Sequence, residues 1–489
     1  TYRCLGGNSY EITLSFYRDC AGIDADPSAE IFFQSSCFPA SSFTISLIPG
    51  TGQEIGPACP NNTTTCNGGT FTGIQEFIYR GVINLPGPCA DWQFSYNLCC
   101  RNNAITNILL PGQTQMYIYA NLNNTITPCN NSPTFSNKPV PFACRGQQFC
   151  YNHGAYDADG DSLVYSLMTP FDSPGNPITY SNPWSATNPL TSSPAVTINP
   201  STGDICMTPT NLEITVMAVL VKEYRNGVLI GEVERDIQFT VIDCNNIVPT
   251  VTGINGTNSF SQTVCAGTQF CFNISSGDAN SSQNTFIEWD YSIPGATFTT
   301  YPGTRETATF CWTPTTSQIN SNPYCFTVTV RDDNCPYVGS QIYAYCITVT
   351  GLNANAGPDQ TVACNATTNL SATASGGSGT YSYQWYSNLV NSATSGTIIN
   401  GATSSIYSPL TTLVGTKYYY CVITFSSGGC SNITSNIAEV IVNENPVIAS
   451  QNPIICSGNS FTVTPNNATG DIVPTGTTYT WTNPTINPA

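Results

Sequence analysis

"CRGQQFCYN" (Cys144–Asn152) and "CAGTQFCFN" (Cys265–Asn273) are two versions of one phrase. A second phrase follows each copy, "DICMTPT" (Asp204–Thr210) and then "TFCWTPT" (Thr309–Thr315). Each copy closes on strand-like text, "RDIQFTVIDC" ending at Cys244 and "IYAYCITVT" running through Cys346. Phrases that recur in the same order at unequal spacing mark two copies of one folded unit with a loop of different length. The text between them is rich in Thr, Tyr, Phe, Val and Ile, punctuated by Gly, Pro and Asn, and it never sustains a 3.6-residue apolar period. That composition belongs to strands and turns. The fold class expected is all-β: tandem, disulfide-stapled β-sandwiches of immunoglobulin-like, PKD-like or cadherin-like type in a rod-like array.

The repeat fixes the frame for the rest. A chain of 489 residues is too long for one core, and typical domain sizes give roughly three to five domains. The two copies occupy 128–247 and 248–351. Residues 1–127 form a disulfide-rich β-sandwich cap with eight cysteines, among them "CPNNTTTC" (Cys59–Cys66) and the adjacent Cys99 and Cys100. Residues 352–442 carry Cys364, Trp385 and Cys421 in that order, with Tyr419 two residues before the second cysteine. This is the order of an immunoglobulin-like domain with its core Trp, inter-sheet bridge and tyrosine corner, although Cys430 competes with Cys421 for Cys364. Residues 443–489 open a further, incomplete unit in which Cys456 has no partner.

Twenty-three cysteines, one histidine and no metal-type clustering of cysteines indicate disulfides and an oxidising, extracellular compartment. The repeat suggests Cys150 with Cys206 and Cys271 with Cys311, each stapling two sheets. It also suggests Cys144 with Cys244, Cys265 with Cys346, and Cys325 with Cys335 across a hairpin. Cys129 supplies a ninth thiol to the cap. An odd count leaves one cysteine unpaired. Net charge is −17 with only 8 % charged residues. Such a surface repels nucleic acid and suits divalent cations, and no apolar run is long enough to insert in a membrane. The first residues already read as strand, so a signal peptide is expected to have been removed.

Against this sparse charge, "YDADGDSLVYSL" (Tyr156–Leu167) places Asp157, Asp159 and Asp161 within five residues around Gly160. An EF-hand needs Gly at the sixth loop position and Glu at the twelfth, where Ser162 and Met168 stand. The stretch looks instead like the aspartate-rich loop of cadherin-like sandwiches, which implies a structural calcium ion held by Asp157, Asp159 and Asp161. "VIDCNNIVP" (Val241–Pro249) resembles an interdomain calcium linker and adds Asp243, though Cys244 intervenes. The alternative is an Asx-rich turn in which the carboxylates cap backbone N–H groups. "RDDN" (Arg331–Asn334) reads as an ordinary hairpin turn. No catalytic residue is assigned: the single His153 sits between a disulfide cysteine and the aspartates. Tryptophans are expected in cores, with Trp184 in "YSNPWSATNP" the candidate for exposure.

"TYRCLGGNSYEITLSFYRDCAG", "TCNGGTFTGIQEFIYRG", "NLCCRNNAI" and "YDADGDSLVYSL", with "GTIINGATSSIYSPLTTLVGTKYYYCVIT" in the fourth unit, resemble large secreted surface proteins of Bacteroidetes that are similar to gliding-motility adhesins. The resemblance implies PKD-like and immunoglobulin-like repeats, export by type IX secretion, and dealings with outer-membrane secretion or motility machinery. It implies a non-catalytic adhesin or stalk, the tip region of a longer surface filament with an unknown surface ligand. The alternative is self-association into a fibre completed by strand exchange. A secreted hydrolase with binding modules is the weakest reading.

Overall fold

The computed structural model describes residues 1–56, 59, 62–139, 142–291, 293–375, 378–427, 430, 432–456, 458–468 and 470–482. Among them the fold is all-β, with four single-turn 3₁₀ segments and no α-helix. Among the described residues no helix is long and apolar enough to cross a membrane. Cα packing groups the chain into two units, one of 1–262, 269–314 and 320–348, the other of 263–268, 315–319 and 349–489.

In the first unit the boundary expected at 127/128 does not interrupt the architecture. Ten strands of a 14-stranded sheet run in the order Tyr2–Gly6, Ser9–Asp19, Ile74–Asn84, Ser41–Leu47, Ser28–Gln34, Trp92–Leu98, Met116–Leu122, Val228–Ile242, Ile214–Arg225, Ser162–Met168, with Gln53–Glu54, Phe142–Cys144, Phe171–Ser173 and Asn176–Pro177 pairing off this path. The cap and the first repeat meet where Leu122, Asn121 and Ala120 pair with Gly231, Glu232 and Val233. The strand Val228–Ile242 is longer than a sandwich edge needs, and its extra length reaches the cap. Two apolar clusters fill the two halves: Tyr10, Ile45, Trp92 and Leu122 under the cap, and Leu190, Ile205, Val219 and Phe239 under the repeat.

Buried polar groups also cross this seam. Arg101 donates to Asp236 at 2.6 Å, with both side chains almost wholly inaccessible. Two backbone carbonyls, of Gln115 and Phe171, accept from the same guanidinium. Glu234, two residues from Asp236, is 3 % exposed and neither of its oxygens has a hydrogen-bond partner. Burial, reinforced by the Asp236 charge, pushes its carboxyl up to about 9.

The second repeat is an eight-stranded sandwich. One sheet holds Thr250–Val251, Phe270–Gly277, Thr307–Trp312 and Thr297–Tyr301; the other holds Ser261–Cys265, Ser340–Thr350, Tyr324–Asp332 and Thr285–Trp289. Aromatic rings fill the space between them, with Phe310 stacked on Phe326 at 4.5 Å and Phe326 on Tyr345 at 5.4 Å. In the second unit a six-stranded sheet packs Trp385, Tyr419, Cys421 and Val440 into one core. There Gln360–Ala363 runs parallel to Ala438–Asn443. In the first repeat Phe142–Cys144 lies parallel to Val228–Ile242 in the same way.

The cystines support the oxidising reading and correct several pairings. Cys144 bonds Cys244 as expected, and Cys4 takes Cys129. Cys150–Cys206 and Cys271–Cys311 form, but each joins neighbouring strands of one sheet rather than two sheets. In both pairs the cysteines stand directly opposite in antiparallel register with Cα atoms 4.2 Å apart, the spacing of a non-hydrogen-bonded pair. The same geometry overturns Cys325–Cys335 and Cys265–Cys346. Cys325 and Cys346 face each other in register and bond, with Cα atoms 4.1 Å apart. Cys335, freed at its turn, bonds Cys59, whose backbone N–H donates to Pro336. Cys265 bonds Cys430.

Further pairs are Cys20–Cys66, Cys37–Cys89 and the adjacent Cys99–Cys100. Three cysteines, not one, remain thiols: Cys364, Cys421 and Cys456. The expected bridge from Cys364 is therefore absent, and burial pushes the Cys421 thiol up to about 11. Beyond the fourth sandwich, the described residues after 443 hold only an isolated bridge, Val447 with Ile472. The rest of the expected fifth unit, 483–489, lies outside the described residues.

Non-reducing peptide mapping is expected to return Cys59–Cys335 and Cys325–Cys346 as linked peptides and no Cys325–Cys335 peptide. For Glu234, the raised folded carboxyl means that the folded state binds the proton more tightly than the unfolded chain. The burial penalty is absent below about pH 4.5 and grows as pH rises toward 9. Glu234→Gln is expected to raise Tm by several degrees at pH 8.5 and by little at pH 4.5, read by thermal melts across that range.

Candidate acidic site

The aspartate loop lies between the short strand Ala155–Tyr156 and the edge strand Ser162–Met168. Gly160, at φ 81°, makes the turn that a side chain would strain. Asp157 Oδ1 accepts from the backbone N–H of Asp159 at 2.9 Å and of Asp161 at 3.1 Å. That is the Asx-turn of the alternative reading, and it is present. It occupies one oxygen. The other, Asp157 Oδ2, is buried and has no hydrogen-bond partner.

Each remaining aspartate has a different environment. Asp159 accepts from the backbone N–H of Asn131 at 2.9 Å and from its side-chain amide at 3.0 and 3.1 Å. Asp161 is gripped by the fork of Arg225, with Nε donating to Oδ1 at 2.7 Å and Nη2 donating to Oδ2. Arg225 Nη2 also donates to Asn130 Oδ1 at 3.0 Å, and Asn130 Nδ2 donates to Glu223 Oε1 at 2.7 Å.

Glu223 is the residue that sequence reasoning missed. It is fully buried, and its Oε2 has no hydrogen-bond partner. Ligand atoms of Asp157, Asp161 and Glu223 all lie within 4.8 Å of one another. The signal was available in "VLVKEYRNG" (Val219–Gly227). Strand alternation puts Glu223 on the same face as Val219 and Val221, both fully buried. Opposite Glu223 in register stands Gly231. A Cβ at that position would come within 2.5 Å of Glu223 Oε2 and 2.7 Å of Tyr2 Oη, so glycine makes room for the carboxyl. Burial, then the Asp157 charge, pushes Glu223 up to about 9. Burial likewise lifts Asp157 to about 6.

Asp243 does not join this group. Its side chain is 67 % exposed and accepts from Arg145 at 2.8 and 3.0 Å beside the Cys144–Cys244 cystine. The linker's other polar residue of note, Asn246, donates to Asp332 at 2.5 Å. Asp332 also accepts from the backbone of Asn334 and Gly339, so "RDDN" is a hydrogen-bonded hairpin turn. His153 is fully buried, with Nδ1 2.8 Å from Arg235 Nη1. Desolvation and the neighbouring guanidinium hold its pKa well below the usual imidazole range. Arg235 in turn lies 4.3 Å over the Phe135 ring. Trp184 is half-buried; Trp481 is the exposed tryptophan, at 65 %.

Arg225→Gln removes the guanidinium that grips the acidic group and leaves Asp161 and Asn130 short of a donor. It is expected to cost about 1–3 kcal/mol in chemical denaturation. Asp243→Asn, at an exposed ion pair, is expected to stay within about 0.5 kcal/mol of the parent.

Residues 353–444 match one family model, described as "Domain of unknown function (DUF8696)". No curated protein matches the chain. Among solved structures, the I-band fragment I67–I69 of titin is similar at 11 % identity and TM-score 0.24, over 64 % of this chain and 99 % of the fragment. The N-terminal eight Ig domains of Down Syndrome Cell Adhesion Molecule isoform 1.30.30 are similar at 12 % identity and TM-score 0.25, over 89 % and 47 % of the two chains. The N-terminal four Ig domains of Dscam1 isoform 6.9 give 12 % identity and TM-score 0.25, over 85 % and 91 %.

Proposed function

We propose that the chain is a non-catalytic part of an extracellular cell-surface adhesin or stalk. The observation that carries this reading is the series of long-range cystines. Cys4–Cys129 bridges a sequence separation of 125 and Cys144–Cys244 one of 100. Tension applied along the backbone passes through these bonds, so the residues between them cannot be drawn out while the bonds hold. At roughly 3.5 Å per residue the two loops would otherwise release about 440 and 350 Å of chain. Cross-strand cystines in both repeats add local clamps. A load-bearing tether benefits from such an arrangement, and disulfides of this density fit an oxidising exterior.

The finer reading, a Bacteroidetes surface filament exported by type IX secretion and engaged in adhesion or gliding, rests on the sequence resemblance. A fibre completed by strand exchange is favoured by one observation. Ile454, Ile455, Phe461 and Trp481 are exposed in a segment with almost no regular pairing, and an added strand would cover such side chains.

Immunogold labelling of intact, unpermeabilised source cells is expected to decorate the outer surface, and antibody against the chain is expected to reduce cell attachment. Labelling confined to permeabilised cells, or release of product from polysaccharide or peptide substrates by the purified chain, overturns the proposal.

A further inference from the structure

We propose that Asp157, Asp161 and Glu223 form a binding site for one calcium ion, with Glu223 taking the place that the linker reading gave to Asp243. Oxygens bound to a single calcium at 2.3–2.6 Å lie within about 5 Å of one another, and one carboxylate oxygen from each of the three residues lies within 4.8 Å of the others. Two of their oxygens, Asp157 Oδ2 and Glu223 Oε2, are buried without a hydrogen-bond partner. An orphaned buried carboxylate oxygen is costly unless a cation or a proton meets it. The Glu223 side chain is wholly buried, so bulk water does not meet that need.

The charge balance points the same way. Asp157, Asp159, Asp161 and Glu223 face one guanidinium, that of Arg225. A divalent ion removes most of the excess. The donors are all hard oxygens with no thiolate or imidazole among them, which selects calcium over zinc. Asp159 is not assigned as a ligand, because its oxygens do not join the group lying within 4.8 Å; Asp161 does join it, each of its oxygens keeping a lone pair beside the one that accepts from Arg225. The Asx-turn and the ion are compatible: the turn uses Oδ1 of Asp157 and fixes the loop, leaving Oδ2 for the metal. The ligands come from the aspartate loop and from the strand Ile214–Arg225. Asn130, hydrogen-bonded to Glu223, belongs to the segment that Cys4–Cys129 ties to the first strand. An ion here therefore joins the first repeat's edge to the N-terminal strand.

The competing occupant is a proton on Glu223, and the test separates the two. Terbium luminescence sensitised by nearby tyrosines, calcium calorimetry and thermal melts are run on the chelator-treated, oxidised chain at pH 7.5. The proposal expects one terbium site displaced by calcium and a Tm rise of several degrees in millimolar calcium. Glu223→Gln and Asp157→Asn each lose the terbium signal and the calcium-dependent rise, while Asp243→Asn keeps both. Should Glu223→Gln fail to fold, direct binding to the parent chain and the Asp157→Asn variant decide the matter. No terbium emission and no calcium-dependent shift in the parent chain, or a full response in Glu223→Gln, overturns the site.

Discussion

Three register pairs carry the organisation of the first unit: Leu122 with Gly231, Asn121 with Glu232, and Ala120 with Val233. They turn a cap and a repeat into one sheet. Once the sheet is continuous, side chains from both sides of the seam share one interior, and polar residues that would have faced water are enclosed. Arg101 and Asp236 answer each other there. Asn121 accepts from Tyr2 at its backbone and donates to Glu232 with its side chain. Glu234 has no such answer and is held toward its neutral form by burial.

The acidic group follows from the same constraint. Gly231 sits on the seam, opposite Glu223 and beside Tyr2. The missing side chain at that position lets a carboxyl and a phenol occupy the interior of a β-sheet. Buried charge in such a place weakens the fold unless it is compensated, so its retention asks for a reason other than packing.

Much of the architecture was legible because strands advertise themselves locally. Alternation and turn residues gave the all-β class, and the recurring cysteine phrases gave the matched cystines Cys150–Cys206 and Cys271–Cys311. The pairings that failed, Cys325–Cys335 and Cys265–Cys346, depended on which strand lies beside which, and register is set by contacts distant in sequence. Cys59–Cys335, at a separation of 276 residues, had no local signal at all. The site shows the same division. Asp157, Asp159 and Asp161 were visible as a cluster along the chain. Glu223 was visible only as a charge on an apolar face, and its meeting with the loop needed the fold. Asp243 matched a motif in order but not in place, because Arg145 stands next to it across the parallel strand pair.

The cystines of the first unit have a further consequence for proteolysis. A protease that cuts one peptide bond between Cys4 and Cys129, or between Cys144 and Cys244, opens the chain without dividing it. Both fragments stay joined through sulfur, and the strands on either side of the cut keep their partners in the sheet. Breaking the molecule there takes a cut together with a reductant, since even a cut between Cys129 and Cys144 leaves the two fragments joined through Cys59–Cys335. The segment that survives a nick elsewhere would look shortened on a reducing gel and intact on a non-reducing one.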